Sequence, residues 1–206
     1  MKNTSLLGKM ISHREWLLGA IIVLMLMGVG YTAPFFVTPS NLAEAFDDTS
    51  ILIMLACAQM LVILTRCIDL SVASNIALTG MCVALFNVAY PDTPALVTLI
   101  LSIGIGVVLG AFNGILVWLV GIPSIVVTLG TMSVYRGFVF LISGGEWVNA
   151  HEMTPQFLAL PRATFLDLTV LSWIAIAVTL ALFVFTRFTK TGLSIFAVGG
   201  NPKAAV

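Results

Sequence analysis

An all-α fold, a polytopic transmembrane helical bundle of about six spans with its N-terminus in the cytoplasm, is what this sequence predicts, and three observations predict it. Hydrophobic residues make up 60% of the 206 and charged ones only 9%, with a mean hydropathy of +1.12. No water-soluble domain of this length carries that balance. The apolar residues are gathered into runs of the length that crosses a hydrocarbon core, roughly 20 residues of helix. Those runs lack the strict alternation that membrane β-strands need.

In chain order, residues 1–14 read as a short basic cytoplasmic tail carrying Lys2, Lys9 and Arg14. A single transmembrane domain over 15–206 follows. Its first span covers about 15–36 and is closed by Pro34 and Pro39. The stretch 38–49 holds Glu44, Asp47 and Asp48 and reads as an outer loop. The second span, about 50–64, has one polar residue, Gln59, and is short for a full crossing. A third runs from about 72 to 90, and the turn Pro91-Asp92-Thr93-Pro94 ends it. The fourth, 95–120, repeats glycine at every fourth position as Gly106, Gly110 and Gly114, a small-residue face that predicts close helix–helix contact, with Asn113 beside it. The sixth covers about 168–185, and the start of a cytoplasmic helix is expected at 201–206. There Asn201 is a favourable cap, Pro202 suits the first helical position, and Lys203 is a helix former.

The fifth span, about 123–142, carries the most information. Ser124, Thr128, Thr131 and Tyr135 fall at i, i+4, i+7 and i+11, which places four hydroxyls on one helical face. Arg136 lies beside them, and a charge at membrane depth is costly without a partner or water. Gly130, Ser133 and Gly137 form a second, small face suited to helix packing. The expectation is that the hydroxyl face lines a path and the glycine face packs. Hydroxyls can instead bond back to their own helix carbonyls.

Loop charges set the orientation. With the N-terminus inside, the inner segments hold Lys2, Lys9, Arg14, Arg66, Arg187, Lys190 and Lys203, seven of the nine basic residues. The outer segments hold Glu44, Asp47, Asp48, Asp92, Glu146, Glu152 and Asp167, seven of the nine acids. The longest outer segment, 143–167, is expected to contain a short surface helix.

The same residues exclude several classes. Basic and acidic residues balance, so nothing points to nucleic acid. The chain contains no phosphate-binding loop, dinucleotide fingerprint or metal-type spacing, and no nucleophile signature accompanies its Ser, Asp and His residues. No cofactor, metal or catalytic residue is expected. Cys57, Cys67 and Cys82 read as small hydrophobes in helices. The segment 66–71 admits two readings. Asp69 or Ser71 can cap a helix starting at Val72, and a capped break between short apolar runs is how transporters build discontinuous helices around a path. The other reading is an ordinary inner loop. Candidate path residues are Asp69, Ser71 and Asn75 together with Ser124, Thr128, Thr131 and Tyr135.

Three blocks resemble one family. The run TRCIDLSVASNIALTGM (65–81), the run NGILVWLVGIPSIVVTLGTMSVYRGFVFLISGG (113–145) and the end TKTGLSIFAVGGNPKAAV (189–206) resemble, in order and spacing, segments of ribose/xylose/rhamnose-type sugar permeases of ATP-binding-cassette importers. Asp69, Leu70, Ser71, Thr128, Leu129, Gly130, Arg136, Gly137, Gly199, Gly200 and Asn201 match the family's motifs. Arg66 and Cys67 stand where the family often has glycines, and Ala73 replaces a glycine. The Asp-Leu-Ser-Val-Ala-Ser version and the Trp-Val-Asn-Ala-His stretch are most similar to rhamnose permeases.

The resemblance implies a multi-pass subunit of a bacterial inner membrane that is not itself an enzyme. Its implied partners are membrane lipid, a separate ATPase subunit, a periplasmic sugar-binding protein and a second permease subunit, as a homo- or heterodimer. Gly199, Gly200, Asn201, Pro202 and Lys203 would contact the ATPase. Permeases of the family continue for several more spans, whereas this chain stops one turn into the coupling helix. Poor coupling is therefore expected of a truncated product, a fragment or half of a split permease. The alternatives are a truncated, non-transporting membrane subunit and a secondary transporter, against which the scarcity of acids at mid-depth counts.

Overall fold

A computed structural model describes residues 14–200. In chain order it holds α1 (Arg14–Thr32), a 3-10 turn (Pro34–Val37), α2 (Pro39–Leu64), α3 (Val72–Ala89), α4 (Ala95–Leu119) and α5 (Ser124–Ser143). A second 3-10 turn (Ala150–Glu152), α6 (Pro155–Arg162) and the two-residue strands β1 (Thr164–Phe165) and β2 (Leu168–Thr169) precede α7 (Val170–Phe188) and α8 (Lys190–Gly200). Five helices, α2 to α5 and α7, are long and apolar enough to cross a membrane. The apolar part of α1 among the described residues, Trp16–Thr32, is shorter.

Two compact units divide the chain. The first comprises residues up to Thr49 with Leu166–Leu168, and the second comprises Ser50–Phe165 and Thr169 onward. In the first, α1 stops before Pro34, whose ring cannot extend a helix. The expected 15–36 span is therefore broken. Gly30 lies close to Val37, and Asn41 Nδ2 donates to the Phe36 carbonyl at 3.1 Å, closing the turn.

The second helix differs from the expected short span. It begins at Pro39, a residue suited to the first helical turn, and runs for 26 residues. Glu44, Asp47 and Asp48 lie on this helix rather than in a loop. At 1.5 Å per residue the helix is about 39 Å long, so span length no longer argues for a discontinuous helix.

In the second unit α3 packs on both α4 and α5, and α7 packs on α8. The buried side chains are mostly polar: Ser50, Ser71, Ser74, Asn87, Thr98, Asn113, Thr128, Thr131, Ser172 and Thr186, against Leu78, Val83, Val127, Tyr135 and Ala175. The large apolar side chains point outward. Lipid does not drive apolar side chains together, so helices associate through close packing and hydrogen bonds, and the lipid-facing surface stays apolar. The polar ties are explicit. The Ser50 and Ser172 hydroxyls lie 2.6 Å apart between α2 and α7. Tyr135 of α5 donates to the Leu109 carbonyl of α4 at 2.8 Å.

The segment after α5 leaves its helix through Gly144 and Gly145, both in the left-handed region that glycine tolerates. Asn149 and Glu152 form a capping box, and Asn87 at the end of α3 anchors the segment. Asn87 Nδ2 donates to Thr154 Oγ1 at 3.0 Å, and Thr154 N donates back to Asn87 Oδ1 at 2.9 Å.

At the far end of the described residues a helix runs over Lys190–Gly200. Thr189 accepts from Gly192 N at 3.0 Å through its hydroxyl and from Leu193 N at 3.0 Å through its carbonyl, a working cap. Three glycines in this stretch obscured it. Asn201, Pro202 and Lys203 lie outside the described residues.

Candidate functional site

Between α2 and α3 the backbone is not helical. Thr65, Arg66 and Cys67 close the end of α2 with bonds to the Val62 and Ile63 carbonyls, and Arg66 takes a φ of 60°. That conformation is uncommon outside glycine. Beyond it, irregular backbone within an apolar bundle must find partners. Ile68 N donates to Ser124 Oγ at 3.1 Å, and Thr128 Oγ1 donates to the Ile68 carbonyl at 3.2 Å. Gln59 Nε2 donates to the Asp69 carbonyl at 3.3 Å. The start of α5 and the end of α2 thus hold the break from two sides.

Asp69 organises the entry to α3. Its Oδ1 accepts from Ser71 N at 2.8 Å and from Ser71 Oγ at 2.6 Å. Asp69 therefore closes a local turn on Ser71, the residue that precedes α3, and Ser71 forms no side-chain cap bond and sits in helical conformation. Ser71 Oγ in turn accepts from Asn113 Nδ2 of α4 at 2.7 Å. Asp69, Ser71 and Asn113 form one chain of bonds tying the break to α4.

Two cavities meet at this segment. One, about 230 Å³, is lined by Thr65, Cys67, Asp69, Asn113, Ser124 and Thr128 together with Gly110, Gly114 and apolar side chains. The other, about 690 Å³ and mostly apolar, lies between α2 and α3 and includes Gln59 and Asp69. Among the described residues, the buried side-chain atoms that lack any partner are Asn113 Oδ1 and Gln59 Oε1. Both belong to residues bordering the break.

The other candidates fall elsewhere. Thr131 and Tyr135 are buried and border neither cavity. Thr131 bonds back to Val127 and Thr128, and Tyr135 reaches α4. Asn75 accepts from Thr79 at 3.2 Å on α3 and also borders neither. The hydroxyl face of α5 is thus divided: Ser124 and Thr128 border the smaller cavity, while Thr131 and Tyr135 are buried in packing. Buried hydroxyls supply the hydrogen bonds that join helices. The glycine faces are the open ones: a Cβ at Gly106, Gly110, Gly114, Gly130 or Gly137 would meet nothing within 4 Å. These glycines do not join helices within the described chain, because α4 and α5 turn polar stripes toward their neighbours instead. Arg136 is exposed on α5.

Near the break, Gly199 packs against the Leu64 carbonyl so closely that a Cβ would collide with it. Arg66 donates through Nε to the Gly199 carbonyl at 2.6 Å and through Nη2 to the Gly200 carbonyl at 2.9 Å. Sequence reasoning missed Arg66, Gln59 and Asn113 as site residues. The available signal was their isolation: an amide alone in an apolar helix is costly to bury without a purpose.

No group of three or more His, Cys, Asp and Glu residues that could hold a metal occurs among the described residues. The site offers a carboxylate, an amide and hydroxyls on apolar walls, which suits binding a hydrogen-bonding solute.

Residues 41–206 match the family model described as branched-chain amino acid transport system / permease component. The autoinducer 2 import system permease protein LsrC of Salmonella typhi is 32% identical over 195 residues, which are 94% of this chain and 55% of that protein. The protein of that name from Escherichia coli K12/DH10B is 33% identical over 198 residues, 94% of this chain and 56% of its own. The chain spans about half the length of these relatives. No solved structure matches. With its five apolar membrane-crossing helices and a match over most of its length, the chain is a multi-pass inner-membrane protein and belongs to the branched-chain amino acid transport system / permease component family.

Proposed function

We propose that the chain is the membrane-spanning permease subunit of an ATP-driven importer that moves a monosaccharide, a pentose or deoxyhexose, into the cytoplasm. Rhamnose is the sugar to try first, on the motif resemblance. The observation that carries the reading is the irregular break at 65–71. It coincides with the motif that resembles the family's, lies between α2 and α3, is bonded to α4 and α5, and borders two cavities. ATP hydrolysis belongs to a separate subunit, a periplasmic binding protein delivers the sugar, and a second permease subunit, identical or not, completes the path.

In this reading Asp69, Ser124 and Thr128 border the path and Ser71 holds Asp69 in place. Gly199 and Gly200, with Asn201, Pro202 and Lys203 beyond them, face the ATPase. Arg66 ties the break to that segment. The open glycines Gly106, Gly130 and Gly137 await helices of another chain or of further spans.

The test is uptake in proteoliposomes that hold the chain with its ATPase and binding protein. Accumulation of labelled L-rhamnose or D-ribose that requires internal ATP and survives collapse of ion gradients supports the reading. Uptake driven by an ion gradient without ATP contradicts it.

A further inference from the structure

We infer that the slot lined by α6 and the outer ends of α4 and α7 is a binding site for one phospholipid of the bilayer, an acyl chain filling the slot and the phosphate resting on Arg162. The inference concerns a different face of the molecule from the break and does not rest on the importer reading.

The chemistry of the slot is that of hydrocarbon. Its volume is about 310 Å³, the share of about ten waters of liquid. Phe157 and Leu160 of α6 and Leu171 and Ile174 of α7 line it. α4 brings two hydroxyls to the wall, Thr98 and Ser102, and both spend their protons inside α4. Thr98 Oγ1 donates to the Ala95 carbonyl at 2.7 Å, and Ser102 Oγ donates to the Thr98 carbonyl at 2.8 Å. The wall therefore has no donor left for a polar solute, and water there lacks the two to four partners it needs. An empty slot would forfeit dispersion contacts along every lining side chain. A hydrocarbon occupant restores those contacts and strands no polar group.

Position decides which hydrocarbon. With the N-terminus inside, Ala95 and Val170 start their helices at the outer membrane surface, and α6 packs on both helices there. Trp173, in the turn of α7 that lines the slot, donates through Nε1 to the Phe165 carbonyl at 2.9 Å, and its ring lies 6.0 Å from that of Phe165. A tethered Trp of this kind suits the headgroup level. Val170 N donates to the Ala163 carbonyl at 2.8 Å, which holds the end of α6 to the start of α7 at the same level. From Ala95 the wall descends to Ser102, about 10 Å of helix, and so reaches from headgroup depth into the acyl region. A partner helix, about 10–12 Å across, is too thick for this volume, whereas a single acyl chain fits. Arg162 follows the slot-lining Pro161, ends α6 and is exposed. It is the one Arg or Lys of residues 143–167, and it bonds no acceptor among the described residues. A guanidinium at headgroup depth beside an acyl slot complements a lipid phosphate.

The test is native mass spectrometry of the full chain, delipidated in detergent and titrated with dioleoylphosphatidylglycerol. One lipid should stay bound to each chain after the detergent is stripped. Leu171→Trp, which fills the slot, should abolish that retention, and Leu99→Trp serves if Leu171→Trp does not fold. Arg162→Gln should weaken binding about fivefold, the worth of one cation at a lipid headgroup, whereas Arg162→Lys should keep it. Dioleoylglycerol, which has the chains without the phosphate, should bind the parent chain no better than the phospholipid binds Arg162→Gln. Val108→Trp, at an exposed position of α4 outside the slot, should change nothing. The inference is overturned if no lipid is retained, if retention survives both Leu171→Trp and Leu99→Trp, or if Arg162→Gln holds the phospholipid as tightly as the parent does. A lipid-free dimer that Leu171→Trp dissociates would assign the slot to a second copy of the chain and would overturn it as well.

Discussion

Asn87 and Asn113 are the same residue type, both buried, one near each end of the α3 packing interface, and they are used in opposite ways. Asn87 is saturated: its nitrogen donates to Thr154 Oγ1, and its oxygen accepts from both Thr154 N and Thr154 Oγ1. Asn113 is half-used: its nitrogen serves Ser71, and its oxygen has no partner among the described residues. A saturated amide rivets a loop to a helix. A half-satisfied one carries a desolvation cost that a saturated one does not. The same contrast separates the two ends of the bundle, one closed by a capped surface segment and the other opened by an irregular break.

The comparison is most exposed at Asn87. Asn87→Leu strips the Thr154 backbone N–H of its buried partner, and the loss should be about 2–3 kcal/mol of stability, read as a lower denaturant midpoint in detergent. A value near zero would mean that the surface segment is not held by this residue. Thr128→Val preserves shape but deprives the Ile68 carbonyl of its donor. It should cost about 1 kcal/mol, with faster alkylation of Cys67 as the break loosens. Arg66→Ala keeps the strained backbone but removes both bonds to Gly199 and Gly200. Because Arg66 is exposed, the global cost should stay below about 1 kcal/mol, and the change should appear as faster proteolysis within residues 190–200.

The smallest effect belongs to the closed end. The Asn149 backbone N–H and side-chain amide both donate to Glu152 and hold its carboxyl below its ordinary value. A carboxyl whose folded pKa is depressed contributes stability above its unfolded pKa and loses it as pH falls through the folded one. Amide exchange at Asn149 should therefore quicken only as pH drops below the ordinary carboxylate range, and Glu152→Gln should remove that dependence. An unchanged pH profile in Glu152→Gln would mean another group sets it.

Much of this was legible in the sequence. Composition and run length give the helical membrane class, and proline and glycine positions give the ends of α3, α4 and α5. Two boundaries were not legible, for physical reasons. Glu44, Asp47 and Asp48 read as a loop because charge density mimics one, yet Pro39 starts a helix that carries them. No helix was expected over 190–200, where three glycines lower helix propensity, yet Thr189 caps one there. The site was half-legible. The motif marked Asp69 and Ser71, but the hydroxyl face of α5 divides between a cavity at Ser124 and Thr128 and packing at Thr131 and Tyr135. Helical spacing identifies which residues share a face without saying what the face meets. In lipid, hydroxyls join helices and bare glycines wait for a neighbour.

The most direct measurement is the stability of Asn87→Leu and Asn113→Leu side by side in the same detergent, without added ligand. Asn113→Leu removes one bond to Ser71 but also a buried orphan acceptor, and these oppose each other. The account predicts a clear loss for Asn87→Leu and a midpoint within error of the parent, or above it, for Asn113→Leu. Equal losses, or a larger loss at Asn113, would make both amides structural and would contradict the claim that the two are used in opposite ways.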